Sequence, residues 1–208
     1  MNKSLATIFG ADYKVSFSEK GYQDLNDQLT NNYSTIFLLV DNNTQKYCLP
    51  HFLNKIKVLR DKPVISIEAG EVNKHLETCK QVWNQLSELG ADRKSLLINL
   101  GGGVLTDLGG FVAAAFKRGI HFINIPTTLL SMVDASVGGK TGVDFQGLKN
   151  QIGIITNPEL VIIDTIYLKT LPENEYLSGF SEMLKHGIIK DAEFFKKLSK
   201  YQNLVPRL

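Results

Sequence analysis

The chain has 208 residues, 43% hydrophobic and 21% charged, so one large or two small globular domains with ample core material are expected. A net charge of +2, with no long run of Lys or Arg, gives no support to a nucleic-acid or membrane surface. Cys48 and Cys79 lack Cys-x-x-Cys spacing; they indicate neither a disulfide framework nor a zinc knuckle and read as reduced thiols, Cys79 as core packing. The segment from Met1 to Phe17 has no basic region followed by an apolar one, and no window approaches ~20 apolar residues. A soluble, cytoplasmic protein without a signal peptide is therefore expected.

In chain order, Tyr13 to Phe17 alternates weakly and fits a strand. Glu19 to Leu29 fits a helix with Tyr22, Leu25 and Leu29 on one side. Thr35 to Val40 is a continuous apolar run of the kind buried on both faces of a parallel sheet. It ends in Asp41, which reads either as a nucleotide-ribose contact at a strand end or as a turn or helix cap. Pro50 to Leu59 suits a short helix, and Pro63 to Glu68 another strand, followed by the charged glycine turn Ala69-Gly70-Glu71-Val72-Asn73-Lys74. Leu76, Cys79, Trp83, Leu86 and Leu89 form a helical stripe that stops at Gly90.

Ser95 to Leu100 is a further apolar run, ending in Gly101-Gly102-Gly103, and a helix is expected from Val104 to Phe116. His121 to Ile125 and Leu160 to Asp164 complete the β-rich runs. This alternation predicts an α/β fold: a Rossmann-like, mostly parallel sheet with helices on both faces. Composition changes between about 165 and 175, beyond which no β-rich run occurs. Leu171 to Glu175 reads as a helix start, followed by helical Gly179 to Lys190 and Ala192 to Tyr201. The expected division is an α/β domain over 1–170 and the beginning of an all-helical domain over 171–208, cut short, since about forty residues are too few for a mean-sized domain.

The chemistry concentrates between Asn99 and Asn150. Three glycines between a strand and a helix let backbone N–H groups approach a phosphate at a positive helix end, although the spacing matches neither the dinucleotide nor the Walker pattern. Asp107 reads either as favouring the helix dipole or as a partner of ribose hydroxyls. Thr127 and Thr128 end a strand. Lys140, behind two glycines, and Lys149-Asn150 suit a phosphorylated ligand; their alternative is a solvated loop, which the bracketing by Gly and Thr disfavours.

The sequence LGGGVLTDLGGFV from Leu100, IPTTLLSMVDASVGGKTG from Ile125, KNQIG from Lys149 and GFSEMLKHG from Gly179 together resemble the 3-dehydroquinate synthase family of sugar-phosphate cyclases. The resemblance spans about Asp41 to Ile189. The glycine turn alone is shared with glycerol dehydrogenases and iron-dependent alcohol dehydrogenases; the PTT, MVDAS and GGKTG segments with the following Lys-Asn separate the cyclases from these. The resemblance implies a carbon–oxygen lyase of the shikimate pathway, on the way to chorismate and the aromatic amino acids. It converts 3-deoxy-D-arabino-heptulosonate 7-phosphate to 3-dehydroquinate and phosphate, using NAD catalytically and one divalent metal, zinc or cobalt, as Lewis acid.

By that resemblance Asp41 and the loop Ala69, Gly70, Glu71, Val72, Asn73 and Lys74 hold the adenosine part of NAD. Gly102, Gly103, Val104, Leu105, Thr106 and Asp107 cradle the pyrophosphate and nicotinamide ribose. Thr127, Thr128, Tyr167, Leu168, Lys169 and Thr170 complete the cofactor site, with Lys140 and Lys149 beside it. Asp134 contacts substrate hydroxyls, Lys140, Asn150 and Arg118 the substrate phosphate, and Lys185 its carboxylate, with Arg118 given to a neighbouring subunit of a homodimer. Glu182 resembles a metal ligand; read bottom-up, it is a helix carboxylate paired with Lys185 or His186. His186 matches no family ligand position. The family's two metal histidines have no counterpart among His51, His75, His121 and His186, so the chain is expected to keep the nucleotide fold yet be truncated and poorly active. Nothing in Leu204 to Leu208 resembles a natural domain end. The alternatives are another sugar-phosphate cyclase, a metal-dependent polyol dehydrogenase, or a non-catalytic NAD-binding module.

Overall fold

The computed structural model describes residues 7–10, 12–31 and 33–201. The expectations placed on Met1 to Ala6 and on Leu204 to Leu208 lie outside them. Seven strands form one sheet: β1 (Ile8–Phe9), β2 (Lys14–Phe17), β3 (Ile36–Asp41), β4 (Val64–Ile67), β5 (Leu96–Gly101), β6 (His121–Pro126) and β9 (Leu160–Ile163). Their order is β1-β2-β9-β6-β5-β3-β4, and every pairing is parallel except β1 with β2. The mostly parallel α/β architecture expected from the alternation of apolar runs is what the chain forms.

Helices cover both faces. Alternation along each strand sends Ile36, Leu38 and Val40 of β3 one way and Phe37 and Leu39 the other. On the first face they meet Tyr22 and Leu25 of α1 (Ser18–Gln28) and Leu49 and Phe52 of α3 (Leu49–Lys55). On the second they meet Cys79, Val82 and Leu86 of α4 (Leu76–Glu88) and Leu105, Leu108 and Val112 of α5 (Gly103–Ala115). Cys48 and Cys79 are free and buried, Cys79 in the core as its place on the helical stripe implied.

Beyond the two-residue strand β1, two elements were not legible from hydrophobic pattern. The short helix α2 (Asn42–Tyr47) follows β3 directly and carries no apolar stripe. The stretch expected to be a glycine- and lysine-rich rim is an antiparallel hairpin of β7 (Lys140–Phe145) and β8 (Leu148–Ile155), separate from the main sheet. Its turn residues Gln146 and Gly147 both have positive φ, 51° and 76°, the conformation of a tight two-residue hairpin. Val143 and Ile152 seat the hairpin in the core cluster of α5. After β9 no further strand occurs among the described residues; α6 (Glu173–Lys190) and α7 (Ala192–Ser199) follow. No helix among the described residues is long and apolar enough to cross a membrane.

The chain reverses its order of strand addition at β3: β4 is laid on one side of it and β5 on the other. Ligands of open α/β sheets bind beyond the carboxyl ends of the strands at such a switch point. Asp41 ends β3 and Gly101 ends β5, so the polar and glycine-rich segments converge there.

Candidate functional site: two clefts with a common wall

Above the switch point lies a cleft of about 860 Å³, bounded by Asp41 and α2, the loop from Ala69 to Lys74, the start of α5, Thr127 and Thr128, and the segment from Tyr167 to Glu175. A second cleft of about 420 Å³ lies beside it, lined by Asp134, Lys140, Gln151 and the hairpin glycines Gly142 and Gly153. Asp107, Ala135 and Asn150 line both. The residues singled out for the cofactor and for the phosphorylated substrate thus fall mainly into two adjoining spaces with one partition.

The glycine turn at the first cleft works by absence of bulk. Gly102 has φ −74° and ψ −171°, open to any residue. A Cβ there would sit 2.8 Å from Cγ2 of Thr128, so glycine is what lets Thr128 close against the turn. Gly102 is the N-cap of α5 and supplies no side-chain cap, leaving first-turn N–H groups free to meet a ligand anion.

Asp41 turns out to be a helix cap. Its Oδ1 accepts from Thr44 N at 2.7 Å, and its own N–H donates to Thr44 Oγ1 at 2.9 Å. It also lines the first cleft, so capping and ligand contact are compatible. The motif Asp-x-x-Thr after the strand was the available signal for α2, which brings Asn43, Thr44, Tyr47 and Cys48 to the cleft. Burial pushes the Cys48 thiol up to about 11.

The partition is built around Lys74. This lysine is only 4% exposed, and its ammonium donates to Asp107 Oδ2 and to Asn150 Oδ1, each at 2.6 Å. Burial raises the Asp107 carboxyl above its usual range; the Lys74 charge opposes that shift, Glu71 adds to it and Lys140 counters it. Asn150 has φ +54° and donates its N–H to Asp144 Oδ1 at 2.8 Å. With Oδ1 facing an ammonium, the Asn150 NH₂ group is left for the cleft. Lys149 reaches Glu71 at 3.0 Å, tying the hairpin to the loop after β4, and that carboxylate raises the pKa of the lysine.

Asp134 projects from a π-helical turn, Ser131–Ala135, a geometry frequent at functional sites. Its carboxylate, that of Glu182 and the imidazole of His186 have ligand atoms within 4.8 Å of one another. Glu182 also holds Lys185 at 2.8 Å and raises its pKa. The helical pairing expected of Glu182 is therefore present, and His186, set aside in the sequence, joins the same cluster. Two carboxylates and an imidazole fit a divalent cation by donor type, provided the Lys185 ammonium gives way.

Other singled-out residues stand back from both clefts. Val72 is 83% exposed, and Asn73 braces its own loop by donating to Ala69 O at 3.0 Å. Thr106 is buried and donates to Gly103 O at 3.2 Å, steadying the turn from behind. Leu168 and Lys169 lie in the helical turn Thr165–Thr170, of which only Tyr167 and Thr170 reach the cleft. Arg118 follows the far end of the 13-residue α5, about 20 Å from the first cleft at 1.5 Å per residue, and lines neither space. Pro172, Asn174 and Glu175 line the first cleft without a sequence signal, because only the fold returns the start of α6 to the strand ends.

The sequence profile of the 3-dehydroquinate synthase N-terminal domain matches residues 64–178. A 3-dehydroquinate synthase of Parabacteroides distasonis is 46% identical over 184 residues, covering 88% of this chain and 52% of that protein. A 2-epi-5-epi-valiolone synthase from Streptomyces hygroscopicus subsp. jinggangensis, solved with NAD+ and Zn2+ bound, superposes with a TM-score of 0.79 at 30% identity. The match covers 97% of this chain and 56% of that one. A 2-deoxy-scyllo-inosose synthase complexed with carbaglucose-6-phosphate, NAD+ and Co2+ gives a TM-score of 0.77 at 25% identity, covering 87% of this chain and 51% of that one. The chain spans about half the length of the relatives it matches.

Proposed function

The chain belongs to the 3-dehydroquinate synthase family, and we propose that it carries the NAD-binding and phosphate-facing side of that family's reaction. The reaction converts 3-deoxy-D-arabino-heptulosonate 7-phosphate to 3-dehydroquinate and phosphate, in the cytoplasm, as a step of the shikimate pathway. The observation that carries the reading is the pair of clefts with a common wall, one floored by an uncapped helix start and the other flanked by Lys140.

When bound, NAD supplies a reversible hydride acceptor and the divalent ion, zinc or cobalt, a Lewis acid. The chain's own groups then have separable tasks. The first-turn N–H groups of α5 receive the pyrophosphate. Asp107, Thr127 and Thr128 fix the nicotinamide ribose; Asp41, Ala69, Gly70 and Glu71 face the adenosine end. Asp134 orients substrate hydroxyls. Lys140 and the Asn150 NH₂ group hold the phosphate, and the lysine stabilises the charge it carries away on leaving. Glu182 would help to hold the metal, which would free Lys185 for the substrate carboxylate. Arg118, far from its own clefts, serves the neighbouring subunit of a homodimer. Residues 171–201 begin a second, helical unit.

A synthase assignment predicts phosphate release with no net NADH. Accumulating NADH with a polyol would instead mark a dehydrogenase, and turnover only of a different sugar phosphate another cyclase. The 208-residue chain by itself is expected to bind NAD in calorimetry but to release phosphate slowly. Lys185 is 61% exposed, and among the described residues nothing covers this face of α6 to exclude water. Brisk dehydroquinate formation by this chain alone would contradict the slow-turnover expectation. Absence of NAD binding would contradict the cofactor assignment.

A further inference from the structure

We propose that Lys74 is a positioning residue that couples the two clefts, holding the Asp107 carboxylate for the cofactor and the Asn150 amide for the phosphorylated ligand with one ammonium. The proposal rests on the assignment of the larger cleft to NAD and the smaller to a phosphorylated substrate. Three observations lead to it. Lys74 is 4% exposed, so its charge is spent inside the partition, on Asp107 and Asn150 at 2.6 Å each. Both partners line both clefts. The main chain repeats the link: Lys74 O accepts from Asp144 N at 2.8 Å, and Asp144 Oδ1 in turn fixes the Asn150 N–H.

The coupling follows from this geometry. An anion on the Asn150 NH₂ group and Lys140 fixes the Asn150 side chain. Its Oδ1 then fixes the Lys74 ammonium, which holds Asp107 Oδ2. The carboxylate is thereby oriented before NAD arrives, and NAD meets a smaller ordering cost. By linkage the effect is equal in the other direction.

Calorimetric titration of the 208-residue chain with NAD, with and without saturating inorganic phosphate, tests the proposal. In the unaltered chain phosphate is expected to tighten NAD binding by about fivefold or more. In Lys74→Met the change is expected to fall below about twofold. The pH at which NAD affinity is half-maximal should also move upward in this variant. Asp107 then faces Glu71 with only Lys140 to oppose its burial. A merely structural role for Lys74 would lower the melting temperature and leave the phosphate effect on NAD affinity in place. In Lys74→Ala, added ethylammonium should restore part of the coupling.

Coupling that persists in folded Lys74→Met, or is absent from the unaltered chain while both ligands bind, overturns the proposal and leaves the NAD assignment standing. No NAD binding by the unaltered chain overturns both. If the variants do not fold, the Asn150 side-chain amide resonances of the unaltered chain decide. A shift on adding NAD together with phosphate, beyond the sum of the separate shifts, supports the coupling, and simple additivity overturns it.

Discussion

At the residue scale, Asp41 shows how one side chain serves fold and site together. Its carboxylate closes a capping box with Thr44 while facing the larger cleft. The two roles separate by substitution. Asp41→Asn keeps an acceptor for the Thr44 N–H and should melt near the unaltered chain, yet weaken NAD binding if the charge meets the cofactor's adenosine end. Asp41→Ala loses the cap as well and should cost about 1 kcal/mol more, read as a lower midpoint in urea. The sequence left both readings of Asp41 open because a strand-end aspartate looks alike in either. Lys74 was legible as a polar loop residue; its burial was not, since burying that lysine needs Asp107 and Asn150, 33 and 76 positions away, to arrive beside it.

At the element scale, α5 determines how closely the site's layers approach. Gly109 and Gly110 lie on its buried side: a Cβ on Gly109 would sit 2.2 Å from Asn99 Oδ1, and one on Gly110 2.5 Å from Thr141 Cγ2. The helix backbone therefore comes down directly on side chains of β5 and of the hairpin. Gly109→Ala overpacks this contact and is expected to destabilise by about 1–3 kcal/mol despite the better helix propensity of alanine. A thermal melt that stays level or rises would contradict the close approach. The central strands β3, β5, β6 and β9 were readable because each is an apolar run buried on both faces. The hairpin was not, because β8 reads Leu-Lys-Asn-Gln-Ile-Gly-Ile-Ile and is largely exposed. Its register depends on Gly142 facing Gly153, where any Cβ would strike the opposing backbone.

For the whole molecule, the site joins segments that are distant in the chain: β3 with α2, the loop after β4, the start of α5, the hairpin and the start of α6. Of the strands that feed it, β4 is the outermost, paired with β3 alone. In native-state hydrogen exchange, β4 and the loop to Lys74 are expected to open more readily than β3, β5 and β6. They should slow the most when NAD binds, since ligand contact there adds to the weakest edge. Equal protection of β4 and β5 in the free protein would contradict this ordering.

The placement of that edge strand reaches beyond energetics. β4 touches neither cleft, yet it carries the loop whose lysine forms their partition. Variation in β4 is therefore free to retune affinity at two sites while leaving every contact residue in place. A comparison of variants restricted to lining residues would miss it.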